Sequence, residues 1–219
     1  MYFKVDRFPY SSLQVFQAFS LGLIYILAMP SKDALILGLT ISLVGMFFRT
    51  WASGYPSSQK FFVFGPYRFL RHPHHLGSFL IFLGGAIASR SVWAIGWVMV
   101  GTALLYRYMY KEEDIFSKTA GVEFKQYRQQ MSSFIPNLIP WPVSKDYSKK
   151  FSLSYSMLKG KRRELDVLIV LLVTYGILYS LIKMDYPLWL QFSLGLTIIA
   201  AFICRGFFVI WKKNRLNTE

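Results

Sequence analysis

The stretch SSLQVFQAFSLGLIYILAMP, residues 11–30, carries no charged side chain at any position. A helix crosses the hydrocarbon core of a bilayer with about 20 mainly apolar residues, so this stretch predicts a transmembrane helix. The basic residues Lys4 and Arg7 precede it. The stretch is long, lacks a convincing small-x-small cleavage site and is followed by further apolar runs, so we expect it to be retained rather than removed as a signal peptide.

Five more apolar runs follow this stretch. They are residues 34–48, 74–89, 91–106, 167–182 and 187–204. The chain of 219 residues is 54% hydrophobic and only 16% charged, whereas an ordinary soluble domain is about 25% charged. A soluble protein with six buried helices would need more polar surface than this composition provides. We therefore predict an all-α, polytopic integral membrane protein with about six transmembrane helices.

The basic residues alternate between the segments that connect these runs. If the N-terminus is cytoplasmic, most of them fall on the cytoplasmic side, and only Lys32, Arg90 and Lys183 fall in outside loops. This is the positive-inside pattern, and it predicts that both termini are cytoplasmic. Topology and attraction to anionic lipid headgroups explain the net charge of +14, so nucleic acid is not an expected partner.

The polar segments divide the chain into three parts. These are a membrane core of four spans at 1–142, a basic cytoplasmic linker at 143–164, and a two-span hairpin with a basic tail at 165–219. Within the core, residues 107–131 mix charged and aromatic side chains, which predicts an amphipathic cytoplasmic helix with a break near Gly121. The single cysteine, Cys204, lies in a predicted span and cannot form a disulfide within the chain.

The densest polar cluster is GPYRFLRHPHHLG, residues 65–77, which holds all three histidines. A metal site would need more ligands than these three stiffly placed imidazoles, so we predict no catalytic metal. A loop at the headgroup boundary, without a specific ligand, would also explain the histidines and arginines. The third interpretation is a ligand cradle, in which irregular backbone with Arg68, Arg71 and His72 holds an anionic, hydrogen-bonding molecule.

The pattern GPYRxxRHPxxxG at 65–77 resembles the signature of the isoprenylcysteine carboxyl methyltransferase family and its phospholipid methyltransferase relatives. A second block is similar to that family's C-terminal signature in order and spacing. Its residues are Arg107, Glu112, Glu113, Gly121, Glu123, Tyr127, Pro136 and Pro140. A weaker match lies at 49–54, so the resemblance covers about residues 40–142. His75 stands where the family often has tyrosine, and residue 74 is variable in the signature.

The resemblance implies methyl transfer from S-adenosylmethionine to a lipophilic or amphiphilic acceptor held in the bilayer, at an active site that faces the cytoplasm. It implies cofactor contacts at Tyr67, Arg71, His72, Pro73, His75, Leu76, Gly77, Glu113 and Tyr127. It places Arg107 and Glu112 at the acceptor end as catalytic residues. A carboxylate acceptor needs a cation to orient it, which the planar fork of Arg107 provides. We expect a break or bend in the helix between Arg107 and Glu112 that brings both into one pocket.

Other functions remain open from the sequence. A phospholipid amine or a small thiol is an alternative acceptor, and it would need deprotonation by Glu112 or a histidine. A sterol-reductase-like enzyme that uses NADPH would share a related membrane core, although the chain has no clear nucleotide-phosphate motif. A membrane scaffold that has kept the fold without catalysis is the non-enzymatic alternative.

The alternation of charge makes a topology prediction. Reporter fusions at Lys32, Arg90 and Lys183 should read outside, and a fusion after Lys150 should read inside, because basic loops stay on the cytoplasmic side. Alkaline phosphatase and fluorescent-protein fusions measure both states. A fusion after Lys150 that reads outside would contradict this arrangement.

Overall fold

The computed structural model describes residues 19–55, 63–119, 122–142, 150–159 and 164–183, together with five isolated positions between 189 and 200. The predicted first span lies partly outside these residues. Outside them also lie most of the predicted sixth span, Cys204, most of the basic linker, Gly121 with its predicted break, and the side chain of Glu112. Within the described residues all regular structure is helical and no strand occurs, as the sequence predicts.

In the part of the chain that the structure describes, five α-helices carry the fold. They are α1 (Lys32–Ser53), α2 (Pro73–Ala88), α3 (Val92–Thr119), α4 (Val122–Gln130) and α5 (Glu164–Lys183). Helical residues 19–26 precede α1, a 3-10 turn at Gly65–Arg68 precedes α2, and a π-helical turn at Tyr155–Lys159 precedes α5.

Local sequence signals set the helix boundaries. Ser31 caps α1, since its hydroxyl accepts a hydrogen bond of 3.4 Å from the amide of Ala34. Pro73 opens α2 at the first helical position, where its missing N–H leaves no bond unmade. Arg90 takes a left-handed φ of 55° in the short turn before α3, and Ser91 caps α3 through the amide of Ala94 at 3.2 Å.

Two of the described helices, α1 and α5, are long and apolar enough to cross a membrane. Only 28% of the most apolar stretch of α1 and 22% of that of α5 is buried inside the protein. The core helix of a soluble protein buries most of its surface, whereas these helices present large aliphatic and aromatic side chains outward, such as Ile36, Phe47 and Leu172. That surface suits lipid. The helix α2 and the apolar part of α3 are shorter, and the count of six spans stays a prediction.

Helices α1 and α2 pack through glycine. A Cβ atom on Gly45 would lie 2.6 Å from the carbonyl oxygen of Gly77, and one on Gly84 would lie 2.4 Å from that of Gly38. Small residues let helix backbones approach closely in a membrane, where lipid tails remove most of the hydrophobic drive for association. The apolar core beside this contact joins α2, α3, α5 and the helical turn before α1. Its buried members are Ile24, Ala28, Ala86, Ala88, Ala94, Val98, Leu171, Tyr175 and Leu178.

Buried hydrogen bonds attach α5 to the other helices. The hydroxyls of Tyr175 and Ser42 lie 2.8 Å apart, which joins α5 to α1. The Tyr25 hydroxyl donates to the Thr174 hydroxyl at 2.9 Å, which joins α5 to the first helical turns. Polar pairs of this kind contribute about 0.6 kcal/mol on average between membrane helices. They fix the rotation of α5 about its axis.

One prediction made from the sequence is wrong. The helix α3 runs without interruption from Val92 to Thr119, so the break expected between Arg107 and Glu112 is absent. The apolar run and the first part of the amphipathic helix form one continuous helix because no glycine or proline lies between Ala103 and Thr119. On a regular helix, positions 107 and 112 stand about 140° apart.

The glycine contact predicts an asymmetry between glycines. Gly84→Ala should lower the free energy of unfolding by about 1–3 kcal/mol, because the new methyl group meets the backbone of Gly38 and Ser42 as well as the Ser42 hydroxyl. Gly96→Ala should be neutral or slightly stabilising, since a Cβ there meets nothing within 4 Å. Thermal unfolding of both variants in the same detergent measures the difference. Equal midpoints would contradict the packing described here.

Candidate functional site

The backbone of residues 65–77, which we call the His-Pro loop, is irregular and tightly held. Gly65 adopts a left-handed φ of 53°, and a Cβ there would lie 2.3 Å from the ring of Tyr55, so both conformation and space favour glycine. Pro66 starts the 3-10 turn, and the side chains of Pro66 and Leu70 are fully buried. The loop therefore has one defined shape as it enters α2.

Residues 131–142, which we call the proline-rich segment, hold this loop through the backbone. The amide of Arg71 donates to the Ser132 carbonyl at 2.9 Å, and the amide of Asn137 donates to the Phe69 carbonyl at 2.8 Å. A third bond of 2.7 Å runs from the Trp141 amide to the Arg68 carbonyl. The structure thus brings the two blocks of signature residues, which are distant in sequence, side by side.

The carboxylate of Glu113, on α3, is the centre of the polar cluster between these blocks. It accepts hydrogen bonds from the guanidinium of Arg71 and from the imidazole of His72, whose Nε2 lies 2.5 Å away. The Nε of Arg128, on α4, lies 3.5 Å from the same carboxylate. Glu113 is 7% exposed, so this Glu113 cluster sits in a low-dielectric setting where an unpaired charge would be strongly unfavourable.

Tyr127 is a support for the loop. Its ring is buried and packs edge-on against Trp141 at 5.5 Å between ring centroids. Its hydroxyl donates a hydrogen bond of 2.6 Å to the carbonyl of Tyr67. Burial raises the pKa of the Tyr127 phenol above its ordinary value near 10, so the group stays protonated and remains a donor at physiological pH.

The three histidines face different surroundings. His72 bonds to Glu113, whereas the Nε2 of His74 lies 3.0 Å from the carboxylate of Glu164 on α5. The His75 ring contacts the rings of His72 and His74, at 5.8 Å and 6.4 Å between centroids. Within the described part of the chain, no group of three or more histidine, cysteine or acidic side chains is placed to hold a metal ion. That catalysis needs no metal stays a prediction.

The other predicted site residues take several positions. Pro73 and Gly77 are buried, and a Cβ on Gly77 would lie 2.6 Å from the Cγ of Arg49, so Gly77 serves the contact between α1 and α2. Leu76 is half-buried in the first turn of α2. Arg107 is exposed on α3, six residues or about 9 Å before Glu113 along the helix axis.

Several residues of this region escape sequence reasoning. Arg128 and Ser133 bind the Glu113 cluster, since Ser133 accepts from the guanidinium of Arg71. His74, at a variable place in the signature, is buried and paired with Glu164, which is fully buried. The only sequence signal for Glu164 is a carboxylate at the very start of an apolar run.

The donor set of the Glu113 cluster fits S-adenosylmethionine, which carries a carboxylate, an ammonium, a sulfonium, ribose hydroxyls and an adenine ring. Two guanidinium groups face one carboxylate, which leaves positive charge to receive the ligand's carboxylate. The buried Nε–H of Arg71 has no hydrogen-bond partner among the described residues. The His72 side chain is 24% exposed, so a dissolved ligand can reach it.

Comparison with known proteins agrees with the resemblance found in the sequence. The profile of the phospholipid methyltransferase family matches residues 33–120, which confirms the predicted resemblance to the isoprenylcysteine carboxyl methyltransferase-like membrane methyltransferases. The match runs from α1 through the His-Pro loop to the end of α3. A membrane methyltransferase is therefore the class of enzyme that the chain resembles.

Two curated relatives match this chain over part of their length. The chain is 30% identical over 106 residues to the cobalt-zinc-cadmium resistance protein CzcN of Cupriavidus metallidurans, which covers 47% of this chain and 48% of that protein. It is 28% identical over 106 residues to the nickel-cobalt-cadmium resistance protein NccN of Alcaligenes xylosoxydans xylosoxydans, with the same coverage. The match spans about half the length of these relatives. No solved structure matches the chain.

The Glu113 cluster makes a prediction about stability. Glu113→Ala should lower the free energy of unfolding by about 3–5 kcal/mol, because it leaves buried guanidinium groups without a counter-charge. Tyr127→Phe removes one neutral hydrogen bond and keeps the ring, so it should lower the same quantity by only about 1 kcal/mol. Thermal unfolding in detergent checks the ranking. A Glu113→Ala protein as stable as Tyr127→Phe would show that the cluster is solvated.

Proposed function

We propose that this protein transfers a methyl group from S-adenosylmethionine to an amphiphilic acceptor that partitions into the bilayer. The observation that carries the proposal is the Glu113 cluster, in which Arg71 and His72 of one signature block meet Glu113 of the other, with Arg128 beside the same carboxylate. The proposed cofactor contacts are the residues assigned from the resemblance, with Arg71 and His72 supported best by the geometry.

The chain's own residues have three tasks in this mechanism. Arg71 and His72 bind and orient the anionic end of the cofactor, and Glu113 holds their side chains in place. Tyr127 fixes the backbone at Tyr67, so the loop does not need to reorganise. The apolar helices around the site exclude water from the reaction. The cofactor, when bound, supplies a methyl group already activated on a sulfonium sulfur.

The proposed acceptor group is a carboxylate, as in isoprenylcysteine carboxyl methylation. A carboxylate is ionised at neutral pH and needs orientation rather than a base, and the exposed guanidinium of Arg107 on α3 can orient it. The alternative acceptor is a phospholipid amine, which the name of the matching family favours, or a small thiol. Either would need a proton acceptor in the site, and Glu112 is the proposed one.

The names of the two relatives suggest a second, physiological role. Both are called metal resistance proteins, so we propose that methylation of a membrane component supports growth in toxic concentrations of divalent metals. Deletion of the gene should then increase sensitivity to cobalt, zinc or cadmium. Complementation with a His72→Ala variant separates a catalytic contribution from the mere presence of the protein.

The proposed placement is that of a multi-pass membrane protein. Both termini and the His-Pro loop lie on the cytoplasmic side, where cofactor is available, and the core at 1–142 carries the site. Two described helices of spanning length and the family match support membrane association. The positive-inside pattern supports the orientation.

The direct test is transfer of radiolabelled methyl from S-adenosylmethionine to the lipids and proteins of membranes that contain the purified protein. Labelled product with a base-labile ester indicates a carboxylate acceptor, and label in lipid headgroups indicates an amine. The matched control is the His72→Ala protein. Consumption of NADPH without methyl transfer would indicate a reductase, and neither activity nor cofactor binding would indicate a scaffold.

The acceptor end makes the sharpest kinetic prediction. Arg107→Ala should lower kcat/KM for methyl transfer roughly 10- to 100-fold, the equivalent of about 1.5–3 kcal/mol for a hydrogen bond to a charged group. Arg107→Lys should restore only part of this, because an ammonium lacks the planar fork. Cofactor affinity should not change, since the cofactor lies on the other side of the transferred methyl group.

The matched control for Arg107 is Lys125→Ala, which removes another exposed cation on the same predicted side of the membrane. Radiometric turnover and calorimetric cofactor binding are measured on the same preparations. Normal turnover in Arg107→Ala would make Arg107 a marker of the membrane boundary. Parallel loss of turnover and binding would place it in the cofactor pocket instead.

A further inference from the structure

Glu164 forms a second buried charge cluster on the far side of the His-Pro loop. Its carboxylate accepts hydrogen bonds from the Nε of Arg49 at 2.8 Å, from the Ser53 hydroxyl at 2.7 Å and from the imidazole of His74 at 3.0 Å. The Glu164 side chain is fully buried. Arg49 and Ser53 belong to α1, His74 belongs to the first turn of α2, and Glu164 starts α5.

His74 links this cluster to the part of the His-Pro loop that bonds to Glu113. His74 is two residues after His72, whose imidazole bonds to Glu113. The two side chains are therefore tied to two carboxylates on different helices, Glu113 on α3 and Glu164 on α5. Arg49 also donates to the Ser78 hydroxyl, one turn further along α2, at 2.5 Å. The first turn of α2 thus receives its fixed position from α5 as well as from α3.

We propose that Glu164 is a positioning residue for the His-Pro loop, which makes the C-terminal segment a functional part of the methyl-transfer site. This inference rests on the proposed function for its catalytic meaning. The residues 33–120 that match the family profile do not include Glu164. The carboxylate acts through His74 and Arg49, and it need not touch cofactor or acceptor.

The geometry favours this role over a purely structural one. Buried ion pairs contribute little net stability, because desolvation offsets most of the attraction. Their effect is instead to restrict geometry, since a charged pair has few acceptable arrangements. Here the pair restricts the position of the helix turn that follows Pro73.

The test compares Glu164→Gln with Tyr175→Phe, a matched control on the same helix. Tyr175→Phe also removes a buried hydrogen bond from α5 to α1, but eleven residues, or about 16 Å, further along the helix. Hydrogen–deuterium exchange of the backbone amides at 71–77 is measured without cofactor, followed by titration with S-adenosylmethionine. Glu164→Gln should speed exchange there and weaken cofactor affinity about tenfold, the equivalent of about 1.4 kcal/mol. Glu164→Asp should restore part of both.

The outcomes are separable. Unchanged exchange at 71–77 in Glu164→Gln, or an equal increase in Tyr175→Phe, overturns the inference. If the unaltered protein does not bind S-adenosylmethionine, the proposed function fails while the exchange comparison still decides the positioning role. Should Glu164→Gln not fold, His74→Asn breaks the same link from the other side, and the same increase in exchange is expected of it.

A different observation carries a second inference, which concerns the proline-rich segment. Its aliphatic side chains Ile135, Leu138 and Ile139 are 74%, 97% and 81% exposed. The segment is nevertheless rigid, because the side chain of Asn137 bonds to the backbone of Ser132 and Gln130. Large apolar side chains on a rigid, exposed turn indicate a surface that is covered by something apolar.

The contact between this segment and α2 indicates what covers these apolar side chains. Phe134 packs its ring against Phe79 at 5.4 Å between centroids, and Phe79 lies six residues into α2, about 9 Å from its start. The sequence predicts that α2 crosses the bilayer from the end that Pro73 opens, and on that prediction a segment that touches α2 at this depth lies at the membrane boundary. We infer that Ile135, Leu138 and Ile139 insert into the acyl region of the cytoplasmic leaflet, beside the His-Pro loop that this segment holds.

Spin-label accessibility tests this insertion. Leu138→Cys and Gln129→Cys, each in a Cys204→Ser chain, are labelled in vesicles of phosphatidylcholine and phosphatidylglycerol. Both positions are exposed, so neither substitution removes packing. Oxygen should increase the relaxation rate of the spin label at 138 more than a water-soluble nickel chelate does. The label at 129 should show the reverse. Chelate access at 138 equal to that at 129 overturns the inference, and so does shielding from both reagents, which indicates a second protein copy.

Discussion

The pairing of buried cations with two carboxylates is the constraint on which the site depends. The His-Pro loop is irregular up to the start of α2 and lies at the edge of an apolar helix bundle. It places Arg71, His72 and His74 in this apolar environment. Each would be costly there without a partner. Glu113 from α3 and Glu164 from α5 provide the partners, so the loop is stable only where these two helices converge on it.

Helix packing places those carboxylates. The glycine contact between α1 and α2 brings Arg49 within reach of both Gly77 and Ser78, which a bulkier interface would not allow. The Tyr175–Ser42 and Tyr25–Thr174 bonds then fix the rotation of α5. A rotation of α5 by one residue, about 100°, would turn Glu164 away from α1. Close backbone contact and a few directed hydrogen bonds therefore determine the geometry of the charged residues.

The sequence predicts the helical class and the approximate positions of the apolar helices, because apolar runs are local signals, and the family resemblance implies that the two signature blocks serve one site. It does not predict that α3 continues past Arg107 to Thr119. A change from apolar to charged composition looks the same whether a helix ends or merely leaves the membrane. His74 and Glu164 are missed for a different reason, since their pairing spans 90 positions and has no local signal.

The family profile matches residues 33–120, but the charged groups in that part of the chain also bond to a carboxylate beyond it. Without α5, the guanidinium of Arg49 and the imidazole of His74 would lose their hydrogen bonds to the carboxylate of Glu164. Because this carboxylate lies outside the matching region, the chain beyond residue 120 also contributes to holding the His-Pro loop. The same carboxylate that neutralises Arg49 also fixes the direction of the helix turn from which His72 reaches Glu113, and so the two clusters act on one loop.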